Sequence, residues 1–200
     1  MPVEIKERPI LFSGAMVRAI LSGQKTVTRR IVDSDWIQSD RAPLETSPGL
    51  FHFWCSGEHP CPYGRPGERL WVRETWSTLS IFDKLKPSEM DKDYLGTIRY
   101  KASGWRSGKL RPSIFMPRWA SRILLEITAV RVERLQDISE QQALAEGVLS
   151  CESDLDPDGN GYSPVELFSM LWSSINGTES WQANPWVWVV EFKRAEVAHG

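Results

Sequence analysis

Several stretches of the chain alternate apolar and polar residues, which predicts strands whose side chains point in turn to core and solvent. Arg8 to Ser13 (RPILFS) is the first and short. Ser13 then caps a helix with Met16, Val17, Ile20 and Leu21 on one face, and Gly23 supplies a left-handed stop. The following KTVTRRIV is rich in β-branched residues and predicts a loop entering a strand. Further strands are predicted over Arg69–Trp76 (RLWVRETW), Thr97–Lys101, Ile123–Leu135 with a bulge, and Trp186–Phe192.

Between these stretches the pattern weakens. Residues 33–67 carry Pro, Ser and Gly and predict an irregular excursion with one strand at Leu50–Trp54. Leu79–Leu95 reads as a polar, helical insertion, and Ala102–Pro112 as a basic loop. Two helices are marked by their caps. Ser139 with Gln142 forms a capping-box pattern closed by Gly147. Ser163-Pro164-Val165-Glu166 opens a second, whose apolar stripe is Val165, Phe168, Leu171, Trp172 and Ile175. Strands dominate and helices lie at the edges. The expectation is an α+β fold, a small mixed barrel with peripheral helices, forming one domain over 1–200 with insertions at about 33–67 and 148–162.

Composition narrows the function classes. No apolar run approaches the ~20 residues that span a bilayer, and no apolar segment with a cleavage site opens the chain. Three cysteines, Cys55, Cys61 and Cys151, cannot all pair within one chain, so a reducing, cytoplasmic setting without a membrane partner is expected. Ten tryptophans exceed what a core of this size requires and suit stacking on flat rings as well as packing. The net charge of -2 conceals an asymmetry. Arg99, Lys101, Arg106, Lys109, Arg111, Arg118, Arg122, Arg131 and Arg134 face only Glu126 and Glu133, whereas residues 137–158 hold seven acids and no Lys or Arg. A locally basic face on a mildly acidic chain suits an anionic ligand.

The most informative residues are Gly23, Lys25, Thr28 and Arg30, in the order G-x-K-x-x-T-x-R. With GAMVRAILSGQKTVTRR, PGERLWVRETW, MPRWASR and NPWVWVVEF, they make the chain resemble the ASCH family of the PUA-like superfold, including its phage and prophage members. The resemblance implies a PUA-like mixed β-barrel, a cleft beside the first helix and a role with RNA or nucleosides. Small ASCH enzymes that hydrolyse N4-acetylcytidine use a Lys, a Thr and a Glu. The matching positions are Lys25, Thr28 and, on the RLWVRETW strand, Glu74. The chain is longer than those enzymes, and its insertions could reshape or cover the cleft.

Amide hydrolysis needs a nucleophile, a base and a positive group where negative charge develops. Lys25 can be the base for Thr28 only when neutral, which requires a pKa brought from ~10.4 to near 7, worth about 4.6 kcal/mol. Alternatively Glu74 is the base and Lys25 stabilises the oxyanion. No motif calls for a cofactor. Arg30, Arg73, Trp76, Arg118 and Trp119 are the candidate substrate-binding residues, with Trp76 as stacking wall because period-two alternation places it on the face of Glu74. The partner expected is a nucleoside, RNA or modified nucleic acid. The alternatives are a noncatalytic nucleic-acid-binding module and, through the same resemblance, a ribonuclease.

Two weaker patterns carry bland readings. Asp154, Asp156 and Asp158 before Gly159 match half of a calcium loop, but the closing carboxylate is out of register, and a solvated acidic loop is expected. His52, Cys55, His59 and Cys61 lack a common zinc spacing and read as loop residues.

Overall fold

The computed structural model describes residues 5–37, 40–105 and 107–195, so Arg106 of the basic run lies outside the described residues. The fold is α+β, as expected. Its strands are β1 (Glu7–Leu11), β2 (Val27–Ile31), β3 (Leu44–Ser47), β4 (Leu50–Phe53), β5 (Gly57–Pro60), β6 (Arg69–Arg73), β7 (Trp76–Ser77), β8 (Arg99–Tyr100), β9 (Leu124–Arg134) and β10 (Trp186–Arg194). Its helices are α1 (Gly14–Leu21), α2 (Glu140–Ala145), α3 (Glu152–Leu155) and α4 (Pro164–Asn176). The main sheet runs β1-β6-β9-β10-β2. β1 and β6 are parallel, and the other neighbours are antiparallel. β1 and β2 are its edges, and no ladder among the described residues joins them. Between β9 and β10 the register shifts at Glu191/Phe192, where Thr128 is the extra residue of the predicted bulge.

The caps act as their sequences require. Ser13 accepts from the Met16 amide at the start of α1. Both reciprocal bonds of the capping box form at Ser139/Gln142 and at Ser163/Glu166. The buried face of α4 differs from the predicted stripe: Leu167, Phe168 and Trp172 are buried, while Ile175 is exposed.

Residues 33–67 are more ordered than their composition predicts. β3, β4 and β5 form an antiparallel meander. Phe51 and Phe53 of β4 meet the Trp188 ring of β10 at 5.2 and 6.0 Å, so the meander packs onto the main core. The 79–95 segment forms short 3-10 turns rather than a regular helix. Trp71, Trp76, Trp172, Trp186 and Trp188 are buried, whereas Trp54 and Trp105 are exposed. Among the described residues no helix is long and apolar enough to cross a membrane.

Candidate functional site

The site forms at the free edge of β2. Val32 donates to Trp186 and Thr26 accepts from Phe192, so the even-numbered residues of this stretch turn their backbone toward β10. Val27, Arg29 and Ile31 therefore turn theirs outward. A cavity of about 280 Å³ lies along this edge and is reached by side chains from both faces of the strand. Its charged and hydroxylic lining is Lys25, Thr28, Arg29, Arg30, Tyr63 and Glu146. Phe12, Met16 and one side of α4, including Phe168 and Trp172, complete the wall.

Lys25 and Glu146 are both almost fully buried. The Lys25 Nζ donates to Glu146 Oε2 at 2.7 Å, to the Glu146 carbonyl at 2.9 Å and to the Val27 carbonyl at 2.8 Å. Three acceptors match the three N–H bonds of an ammonium, leaving no lone pair. Burial nevertheless pulls the Lys25 pKa below the usual lysine range, opposed by the charge and hydrogen bond of Glu146. The Arg29 guanidinium donates to the other Glu146 oxygen at 3.3 Å, to Glu133 at 3.3 Å and to Gln142 Oε1 at 2.9 Å. Gln142 Oε1 also accepts the Ser139 amide, so the capping box of α2 is tied directly to Arg29. Thr28 is buried against the cavity, and its hydroxyl has no protein partner among the described residues.

Glu146 owes its position to two local features. It is the C-cap of α2, and Gly147 follows with φ 82°. A Cβ on Gly147 would lie 2.8 Å from Ala19 Cβ and 3.1 Å from Lys25 Cβ, so only glycine lets this turn close onto α1 and Lys25. A carboxylate at a helix C-terminus opposes the helix dipole unless a cation accompanies it. That mismatch is the sequence signal for Glu146, which the motif-based assignment passed over.

The structure separates Glu74 from Lys25 and Thr28. Glu74 is 2% exposed, does not line the cavity and is held bidentately by Arg122 at 2.8 and 3.0 Å. Burial raises its pKa, and Arg122 opposes the rise. Arg122 also lies over the Tyr100 ring at 4.0 Å. The ion pair thus lies against Tyr100 of β8 and outside the cavity lining, which corrects the assignment of Glu74 to the cleft. Trp76 is corrected with it. β6 ends at Arg73, so strand alternation does not extend to Trp76, which is 0% exposed in a separate core cluster with Met90, Ile98 and Met116.

Of the five candidate binding residues, only Arg30 lines the cavity. Arg73 stacks over Trp71 at 4.7 Å and borders another groove with Lys86 and Phe115. Arg118 pairs with Glu7 at 2.7 Å, and Trp119 packs on the Trp76 cluster. Tyr63, Phe168 and Trp172 are lining residues that the sequence reading did not assign. Among the described residues no three His, Cys, Asp or Glu side chains gather as a metal site. Asp156 accepts instead from Asn160 Nδ2 and the Gly161 amide within its own loop.

No protein-family model and no curated protein matches the chain. A crystal structure of protein EF3133 from Enterococcus faecalis V583, described with the family model DUF984, aligns over 100% of this chain and 87% of its own at 10% identity, with a TM-score of 0.38.

Proposed function

We propose that the chain is an ASCH-type, PUA-like barrel protein whose cavity hydrolyses an acylated amine on a nucleoside or nucleic-acid base, with N4-acetylcytidine as the leading substrate. One observation carries this reading: Lys25, Thr28 and Glu146 line a single cavity, with the Lys25 ammonium donating to Glu146 at 2.7 Å. Glu146 thus takes the part that the family resemblance had put on Glu74.

The geometry favours the assignment in which the carboxylate is the base. Lys25 has all three donors engaged and supplies fixed positive charge, with Arg29 behind it. The Thr28 oxygen attacks the acyl carbonyl carbon, and its proton passes to Glu146. The C–N bond then breaks, and Glu146 returns the proton to the departing exocyclic amine. Water attacks the Thr28 ester, Glu146 again relaying its proton, and acetate leaves as the hydroxyl is restored. In the resting arrangement Lys25 and Arg29 each donate to one oxygen of Glu146.

The test is chromatographic detection of cytidine and acetate from N4-acetylcytidine. Wild type should release both in equal amounts. Thr28→Val and Glu146→Gln should each lower kcat by a factor of about 10² or more. Glu74→Gln should leave turnover by the folded enzyme near wild type while lowering the melting temperature. Saturable binding of N4-acetylcytidine without product would identify the cleft as that of a noncatalytic binding module.

A further inference from the structure

The cavity holds more positive charge than its own chemistry uses. Three cations line it, Lys25, Arg29 and Arg30, against one carboxylate, Glu146. Lys25 and Arg29 both bind Glu146, and Arg29 has Glu133 as a second partner. Arg30 has no carboxylate partner among the described residues. One guanidinium nitrogen donates to the Leu11 carbonyl at 2.8 Å, and the group lies over the Phe12 ring at 5.4 Å. Those contacts fix its orientation without neutralising it, and its remaining N–H bonds are unused by the protein.

Tyr63 stands beside it. Arg30 is close enough for its charge to oppose the rise that burial imposes on the Tyr63 phenol, which remains a neutral donor. The Tyr63 hydroxyl has no hydrogen-bond partner among the described residues. A planar guanidinium with N–H bonds to spare and an unpaired phenolic O–H, both lining one cavity, recognise tetrahedral oxyanions well.

Resting on the reading of the cavity as a cytidine site, we infer that the ligand carries a phosphate and that Arg30 and Tyr63 bind it at the cavity mouth. A neutral nucleoside leaves Arg30 unpaired, whereas a phosphate completes it. The cavity volume of about 280 Å³ lies near the ~300 Å³ lower bound of small-ligand pockets, which fits one nucleotide with any continuing strand outside. Arg30 and Tyr63 are thus specificity residues, while Thr28 and Glu146 carry the chemistry.

Calorimetric titration of the full chain with cytidine, cytidine 5′-monophosphate and an unphosphorylated trinucleotide centred on cytidine tests this without requiring turnover. The monophosphate or the trinucleotide should bind about tenfold or more tightly than cytidine, as one charge-assisted contact allows. Whichever of the two shows the gain identifies the source as a free nucleotide or a strand. Arg30→Gln should abolish the preference, Arg30→Lys should keep part of it, and Tyr63→Phe should reduce it severalfold. Equal affinities for all three ligands would overturn the inference, as would a preference that survives Arg30→Gln. Both results are independent of whether N4-acetylcytidine is cleaved. Release of cytidine by wild type with no phosphate preference would retain the hydrolase and remove the phosphate site. A phosphate preference without cleavage would do the reverse.

Discussion

Glu146 accepts from Lys25 and Arg29 at once, and both cations are buried. Deleting one partner of such a group leaves the others charged in a poor solvent, a loss of about 3–5 kcal/mol. Glu146→Ala should lower unfolding stability by that amount in urea titrations, and by less in a Lys25→Met background, where one orphaned charge is already gone. The depressed Lys25 pKa adds a pH signature. Below the folded value Lys25 is protonated in both states, and stability carries the full cost of burying the charge. As pH rises from the folded value toward the unfolded ~10.4, the unfolded chain holds the extra proton and the cost is relieved. The stability of wild type relative to Lys25→Met should therefore improve with rising pH over that window. A flat difference in denaturant titrations between pH 7 and 10 would show that Glu146 offsets burial completely.

Helix α2 is six residues long and works chiefly as a positioning device. Its capping box at the N-terminus orients Gln142 toward Arg29, and its C-terminal turn delivers Glu146 to Lys25. Gly147 permits that delivery through its positive φ and its closeness to Ala19. Gly147→Ala should cost about 1–3 kcal/mol in thermal or chemical unfolding, and in the folded fraction it should lower turnover more than Glu74→Gln does. Equal turnover by Gly147→Ala and wild type would separate the turn from the site. The caps of α1, α2 and α4 were all legible because Ser at the cap, a partner three residues on and a terminal Gly are local interactions. The exposed side of α4 was not. Ile175 continues the apolar stripe in sequence yet lies at the cavity and is 63% exposed, because the elements packed against α4 determine which part of its stripe is covered.

Across the molecule, the meander of β3, β4 and β5 shares a core with the main sheet through Phe51, Phe53 and Trp188. Phe53→Ala should remove about 3–5 kcal/mol and shift one cooperative transition monitored by far-UV dichroism and tryptophan fluorescence alike. A separate early transition confined to fluorescence would mean that the meander unfolds alone. Of its strands β4 was read, at Leu50–Trp54, whereas β3 and β5 were not, because each is four residues long with few apolar positions and β3 is exposed throughout. Their order comes from pairing rather than from periodicity. Local physics written in the chain determined the α+β class, the helix caps and the long hydrophobic strands, since these rest on neighbours within a few positions, whereas Lys25, Thr28 and Arg30 were singled out by the family resemblance. Tertiary structure decided which carboxylate meets Lys25. Glu74 and Glu146 are both glutamates far from Lys25 in sequence, and only the turn of α2 onto α1, with Arg122 occupying Glu74, distinguishes them.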